Sequence, residues 1–116
     1  MKPSLLFIVE SDPRTSARPA EAIRIAAGVG AWQKAAVRIY LRGPAVLALG
    51  EFAEELTDGD NFPRYLPMLR ETRQPVWVQK GNSLLAECGE VALPVEEIDD
   101  AQLAGHCAQS SHVLRF

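Results

Sequence analysis

The sequence predicts an α/β domain of three layers, a mainly parallel sheet of about five strands flanked by helices. Three observations carry this. The apolar run Leu5-Leu6-Phe7-Ile8-Val9 is closed by Glu10-Ser11-Asp12-Pro13, the pattern of a strand buried on both faces at the centre of a parallel sheet. Strand, helix and strand succeed one another within the first forty or so positions, a right-handed βαβ unit by default. Strands and helices then keep alternating across residues 1–116, with no repeat, low-complexity tract or second domain. A chain of 116 residues, 47% of them hydrophobic, buries roughly two-thirds of its unfolded surface and needs no staples.

The first strand is expected over about Ser4 to Val9. After a polar loop, Pro19 suits a first helical turn, where its missing N–H costs nothing, and Glu21 favours the positive helix terminus. Ala22, Ile23, Ile25, Ala26 and Val29 then recur at helical spacing, and Gly28 and Gly30 are expected to supply the exit. In the second strand Val37, Ile39 and Leu41 alternate with Arg38 and Tyr40.

Pro44 is expected to open a helix with Val46, Leu49, Phe52 and Leu56 on one side and Glu51, Glu54 and Glu55 in solvent. The alternative is a short strand over Ala45 to Leu49. Thr57-Asp58-Gly59-Asp60 reads as a turn. A short helix follows from about Pro63 to Glu71, bent by Pro67 near its start. Val76-Trp77-Val78-Gln79 is the next strand. A helix over Asn82 to Cys88 stops at Gly89, a left-handed C-terminal position. Val91-Ala92-Leu93 is a short extended piece. Glu96-Glu97 and Asp99-Asp100 read as helix-start charges for a helix through Ala108, and His112 to Phe116 forms the final strand.

Twelve basic against fifteen acidic side chains give a net charge of −3, which offers no footprint for nucleic acid. The residues Met1 to Ser4 lead into an apolar run far too short for a signal peptide or a membrane span, so no membrane association is expected and the cytoplasm is the expected compartment. Cys88 and Cys107 do not make a disulfide framework and are expected as free thiols in a reducing compartment.

The segments LLFIVESDP, AEAIRIAAGVG, VRIYLRGPAV, NFPRYLPMLRETRQPVWV and HVLRF, in this order and spacing, resemble the DsrE/DsrF-like family of small sulfur-relay proteins. The resemblance covers nearly the whole chain and rests on hydrophobic patterns. It implies a compact α/β fold with a mostly parallel sheet, assembly into trimers or hexamers, and, in active members, a cysteine that carries a persulfide between partner proteins. That cysteine follows the strand corresponding to Val76-Trp77-Val78, where this chain reads Gln79-Lys80-Gly81-Asn82. Neither amide nor amine can replace a nucleophilic sulfur. The chain therefore resembles those family subunits that lack the relay cysteine and accompany subunits that have it.

Cys88 is a weak catalytic candidate, because a helix C-terminus and the neighbouring Glu87 both disfavour the thiolate. The same objection applies to Cys107, and adjacent His106 points elsewhere on its helix. Cys88, His106, Cys107 and His112 have the right chemistry for a metal, but no pair lies at a one-turn ligand spacing, so neither metal nor cofactor is expected. The stronger candidate is a ligand-binding rim at the carboxyl ends of the strands, where sheets of this class gather ligands. Ser11, Arg14 and Arg18 lie on the loop that feeds the first helix N-terminus, Arg42 follows the second strand, and Gln79 and Asn82 follow the third. No GxxxxGK[ST] loop is present, and Gly28-Val29-Gly30 lies at the wrong end of its helix for a dinucleotide fingerprint.

Three functions follow as expectations. The first is a non-catalytic interaction module of an oligomer, its interface drawn from Phe52 to Met68, with self-association or related subunits as partners. The second is a persulfide carrier using a displaced cysteine, and the third is a binder of a small anionic ligand or nucleotide at the rim.

Overall fold

The computed structural model describes residues 2–116, so the part of the single-domain expectation that falls on Met1 lies outside the described residues. Five strands, β1 (Ser4–Val9), β2 (Ala36–Leu41), β3 (Val76–Gln79), β4 (Val95–Ile98) and β5 (His112–Arg115), form one sheet of order β4-β3-β2-β1-β5. Every pairing is parallel. β1 is central, pairing Leu5 with Val37 on one side and with His112 on the other. Leu6, Phe7, Ile8 and Val9 are all buried, as a strand covered on both faces requires.

Strand alternation sends these side chains into two cores. Phe7, Val9, Val37, Ile39, Leu41, Val76 and Val78 pack beneath helices α1 (Arg18–Trp32) and α2 (Asn61–Arg70) and two 3-10 turns, Gly43–Leu49 and Ala53–Glu55. Leu6, Ile8, Tyr40, Trp77 and Ile98 face the other way, against Leu103 and Cys107 of helix α3 (Asp100–Gln109). The chain thus winds from β1 to β4 over one face and returns to β5 over the other, so the direction of winding reverses beside β1.

Several sequence expectations need correction. The helix expected from Pro44 is two 3-10 turns, interrupted at Gly50. A Cβ at Gly50 would lie 3.3 Å from the Cys88 Cα, so the close approach of the two segments breaks the helical path. Phe52 consequently leaves the apolar side on which helical spacing would put it. Gly28 and Gly30 do not end α1, which continues to Trp32 and exits through Gln33 at φ 60°; isolated glycines weaken a helix without stopping it. Pro67 lies past the middle of α2.

The helix expected over Asn82 to Cys88 is a 3-10 turn, Ser83–Cys88, closed by Gly89 at φ 68°. Glu96 and Glu97 belong to β4 instead of a helix start, and Val91 to Leu93 is not a strand. β4 is an edge strand whose exposed carboxylates conceal its pattern, and charge on an edge also discourages pairing with other chains. The start of α3 matches the sequence: Asp99 accepts from the Gln102 N–H and Gln102 Oε1 accepts from the Asp99 N–H, each at 2.8 Å, a capping box.

Candidate functional site

All five strands end on one rim, where the expected residues fall into separate groups. The turns after β2 and β3 are fastened together by amides. The Gly43 N–H donates to Gln79 Oε1 at 2.9 Å, and Asn82 Nδ2 donates to the Gly43 carbonyl at 3.0 Å and to Gln79 Oε1 at 3.4 Å. Asn82 Oδ1 accepts from the Leu84 N–H at 2.9 Å and caps the 3-10 turn. Gly43 sits at φ 55°, a backbone region that disfavours any side chain. Gln79 and Asn82 are therefore neighbours, as their placement after one strand suggests, and their polar atoms are largely satisfied by each other and by this turn.

Arg14 stands apart from that clamp. Its guanidinium forks onto Asp12, 2.9 Å from Oδ2 and 3.0 Å from Oδ1. The hydrogen bond from Arg14 holds the Asp12 carboxyl below its ordinary range and raises the guanidinium in turn. Ser11 donates its backbone N–H to the Phe116 carbonyl at 3.3 Å. The N-cap of α1, Ala17, offers no side-chain oxygen to the first turn. Arg18 reaches across to the Arg115 carbonyl at 3.1 Å and lies over the Phe116 ring.

Arg42 points to the α3 side. Its guanidinium donates to Asp100 Oδ1 at 2.8 Å and to the Tyr40 hydroxyl at 3.1 Å. The Asp100 carboxyl is lowered by that hydrogen bond, while burial raises the Tyr40 phenol. With Glu10 and Arg115, themselves an ion pair at 2.6 Å, Arg42 and Asp100 line a crevice of about 480 Å³ that also admits Cys107. This crevice lies where the winding reverses, the place at which open α/β sheets bind ligands. Of its residues, Arg42 and Glu10 follow strands whose ends were expected at the rim. Arg115 and the α3 residues depend on β5 lying beside β1, a pairing across more than a hundred positions that local pattern does not reveal.

The two thiols occupy different cores. Cys88 is 3% exposed, and its Sγ lies 3.3 Å from the Val46 carbonyl. Burial first, and then the Glu87 carboxylate, pushes this thiol up. The helix-end field expected from the sequence is thus the lesser matter, since a six-residue 3-10 turn replaces the helix. Cys107 is half-buried on α3, next to His106, whose ring stacks on Trp77 with centroids 3.8 Å apart. The other face of Trp77 carries the Arg38 guanidinium at 3.6 Å. Among the described residues, no group of three or more His, Cys, Asp or Glu is placed to hold a metal ion, and no helix is long and apolar enough to cross a membrane.

An all-parallel sheet of five strands in the order 4-3-2-1-5, with α1 and α2 on one face and α3 on the other, defines an α/β fold of DsrE-like type. The crystal structure of ychN protein from E. coli has the same fold: it superposes with a TM-score of 0.77 over 100% of both chains, at 22% sequence identity. No protein-family model and no curated protein matches the chain by sequence. Likeness at this identity establishes the fold. The DsrE/DsrF resemblance read from the sequence is met at that level.

Proposed function

We propose that the chain is a non-catalytic interaction subunit of a sulfur-relay-type oligomer. The observation that carries this reading is the amide clamp. Where the DsrE-like resemblance places a relay thiol, Gln79 and Asn82 hold the Gly43 turn and leave no nucleophile. The buried Cys88 does not replace it, because a thiol away from water and beside a carboxylate resists ionisation. Phe52 supports the interaction role: it is 69% exposed, in the Phe52 to Met68 stretch expected to form the interface, and aromatic side chains are enriched at such surfaces. Light scattering on size-exclusion fractions tests the reading. The chain should elute at a multiple of its monomer mass, and Phe52→Ser should lower that mass. A strict monomer at every micromolar concentration overturns it.

Two other readings each have an observation behind them. A persulfide carrier would use Cys107, which is reached through the crevice between Arg42 and Arg115. A binder of a small anion would use the rim of Ser11, Arg14, Arg42, Gln79 and Asn82, favoured by the α1 N-terminus, whose N-cap supplies no side-chain acceptor. For the anion the guanidiniums must exchange a carboxylate for the ligand, since Arg14 and Arg42 are already paired.

A further inference from the structure

Between α2 and the segment Glu90 to Ala92 lies a groove of about 310 Å³. That volume is at the lower end of what specific ligand sites enclose. Its floor is buried and apolar, made by Ala53, Phe62 and Leu66, and its rim carries the exposed carboxylates Glu51, Glu54 and Glu90.

Three carboxylates and one cation line the groove, which leaves it net negative. The cation, Arg70, donates its guanidinium to the Ala92 carbonyl and forms no ion pair with a rim carboxylate among the described residues. The ion pairs found among the described residues join Arg14 to Asp12, Arg42 to Asp100 and Arg115 to Glu10, all at the strand ends. One rim carboxylate is also fixed in place. Glu51 Oε1 accepts from the Glu90 N–H at 3.1 Å. A Cβ at Gly89 would come within 2.9 Å of the Glu51 carboxyl group, so the turn at Gly89 closes directly onto this side chain. A fixed carboxylate loses little freedom on meeting a cation, which favours binding.

We propose that this groove docks a segment of a partner protein bearing an apolar anchor flanked by lysines or arginines. The anchor takes the Phe62 and Leu66 floor, and the cations meet Glu51, Glu54 and Glu90. The choice of occupant follows from local charge: the carboxylates around an apolar floor repel an acidic segment and attract a basic one. The inference rests on the interaction-subunit reading and supplies the chemistry of the partner.

The test uses the full chain and a fluorescein-labelled peptide, Lys-Lys-Leu-Phe-Lys-Lys, with Glu-Glu-Leu-Phe-Glu-Glu as control. Anisotropy should report binding of the basic peptide alone, weakening as salt screens the rim. Amide shifts of ¹⁵N-labelled protein should centre on Ala53, Phe62 and Leu66. The E54K/E90K variant should weaken binding by at least about tenfold, the effect of removing close charge complementarity at an interface. If circular dichroism finds that variant unfolded, E54Q/E90Q carries the same test with a smaller loss. No binding, equal binding of both peptides, an unaffected variant, or shifts centred elsewhere overturns the proposal. So does a loss of oligomer mass in E90K alone, a change outside the Phe52 to Met68 stretch, which would make a second copy the occupant. Peptide binding is read whatever the mass of the protein, so a strict monomer that still binds the basic peptide counts against the oligomer reading alone.

Discussion

Replacing Gln79 by leucine removes the acceptor that joins the β2 and β3 turns. The Gly43 N–H loses its 2.9 Å partner, and Asn82 keeps the Gly43 carbonyl but loses its second acceptor. Leaving a buried donor unsatisfied costs about 1–3 kcal/mol. Gly43 is only partly buried, so water recovers part of this and about 1–2 kcal/mol is expected. With a urea slope of about 1–3 kcal/mol per molar for a small domain, the unfolding midpoint should fall by roughly 0.5–1 M. Gln79→Glu is the control, because a carboxylate still accepts from both donors and should recover most of the loss. Equilibrium urea unfolding followed by tryptophan fluorescence reads both variants, and Trp77, on the same strand, reports locally. If Gln79→Leu unfolds at the wild-type midpoint, the clamp contributes nothing, and the account of why this position holds an amide fails.

Two other outcomes separate the remaining readings. Maleimide at neutral pH should modify Cys107 and spare Cys88 until urea unfolds the chain, because burial both shields Cys88 and raises its thiol; peptide mass spectrometry assigns the sites, and equal labelling would contradict the packing of Cys88. Inorganic phosphate in about tenfold excess over its dissociation constant should raise the melting temperature by a few degrees if the rim binds anions, and Arg14→Ala should abolish that rise. An unchanged shift in the variant removes Arg14 from the site.

The centre of this fold was legible because its signal is local. Leu5 to Val9, the helix from Arg18 and the strand from Val37 declare themselves by apolar period and punctuation, and the capping box at Asp99 declares the start of α3. The β4 edge was hidden because Glu96 and Glu97 face solvent, where no alternation is enforced. Between Pro44 and Glu55, tertiary contact decided the backbone: alanines at 45, 48 and 53 and the approach of Gly50 to Cys88 draw the chain into 3-10 turns that helical spacing does not anticipate. At the rim, the residues following each strand were correctly located along the chain. Their separation into an amide clamp and the Arg42 crevice was not legible, because it depends on the partners each side chain meets beyond its strand end.

The place of β5 beside β1 has a consequence for how the chain acquires its structure. Ser4 and Ser111 exchange hydrogen bonds across 107 positions, so one whole side of the central strand has no partner until the far end of the sheet arrives. A ribosome that has released β1 through β4 holds a half-zipped template: a hydrophobic strand with open N–H and C=O groups facing the cell. Exposed strand edges invite pairing with other chains, and contacts this distant in sequence are slow to close. Completion therefore waits for β5, and the interval before it is when this chain is most exposed to misassembly. Four residues, His112 to Arg115, end that interval.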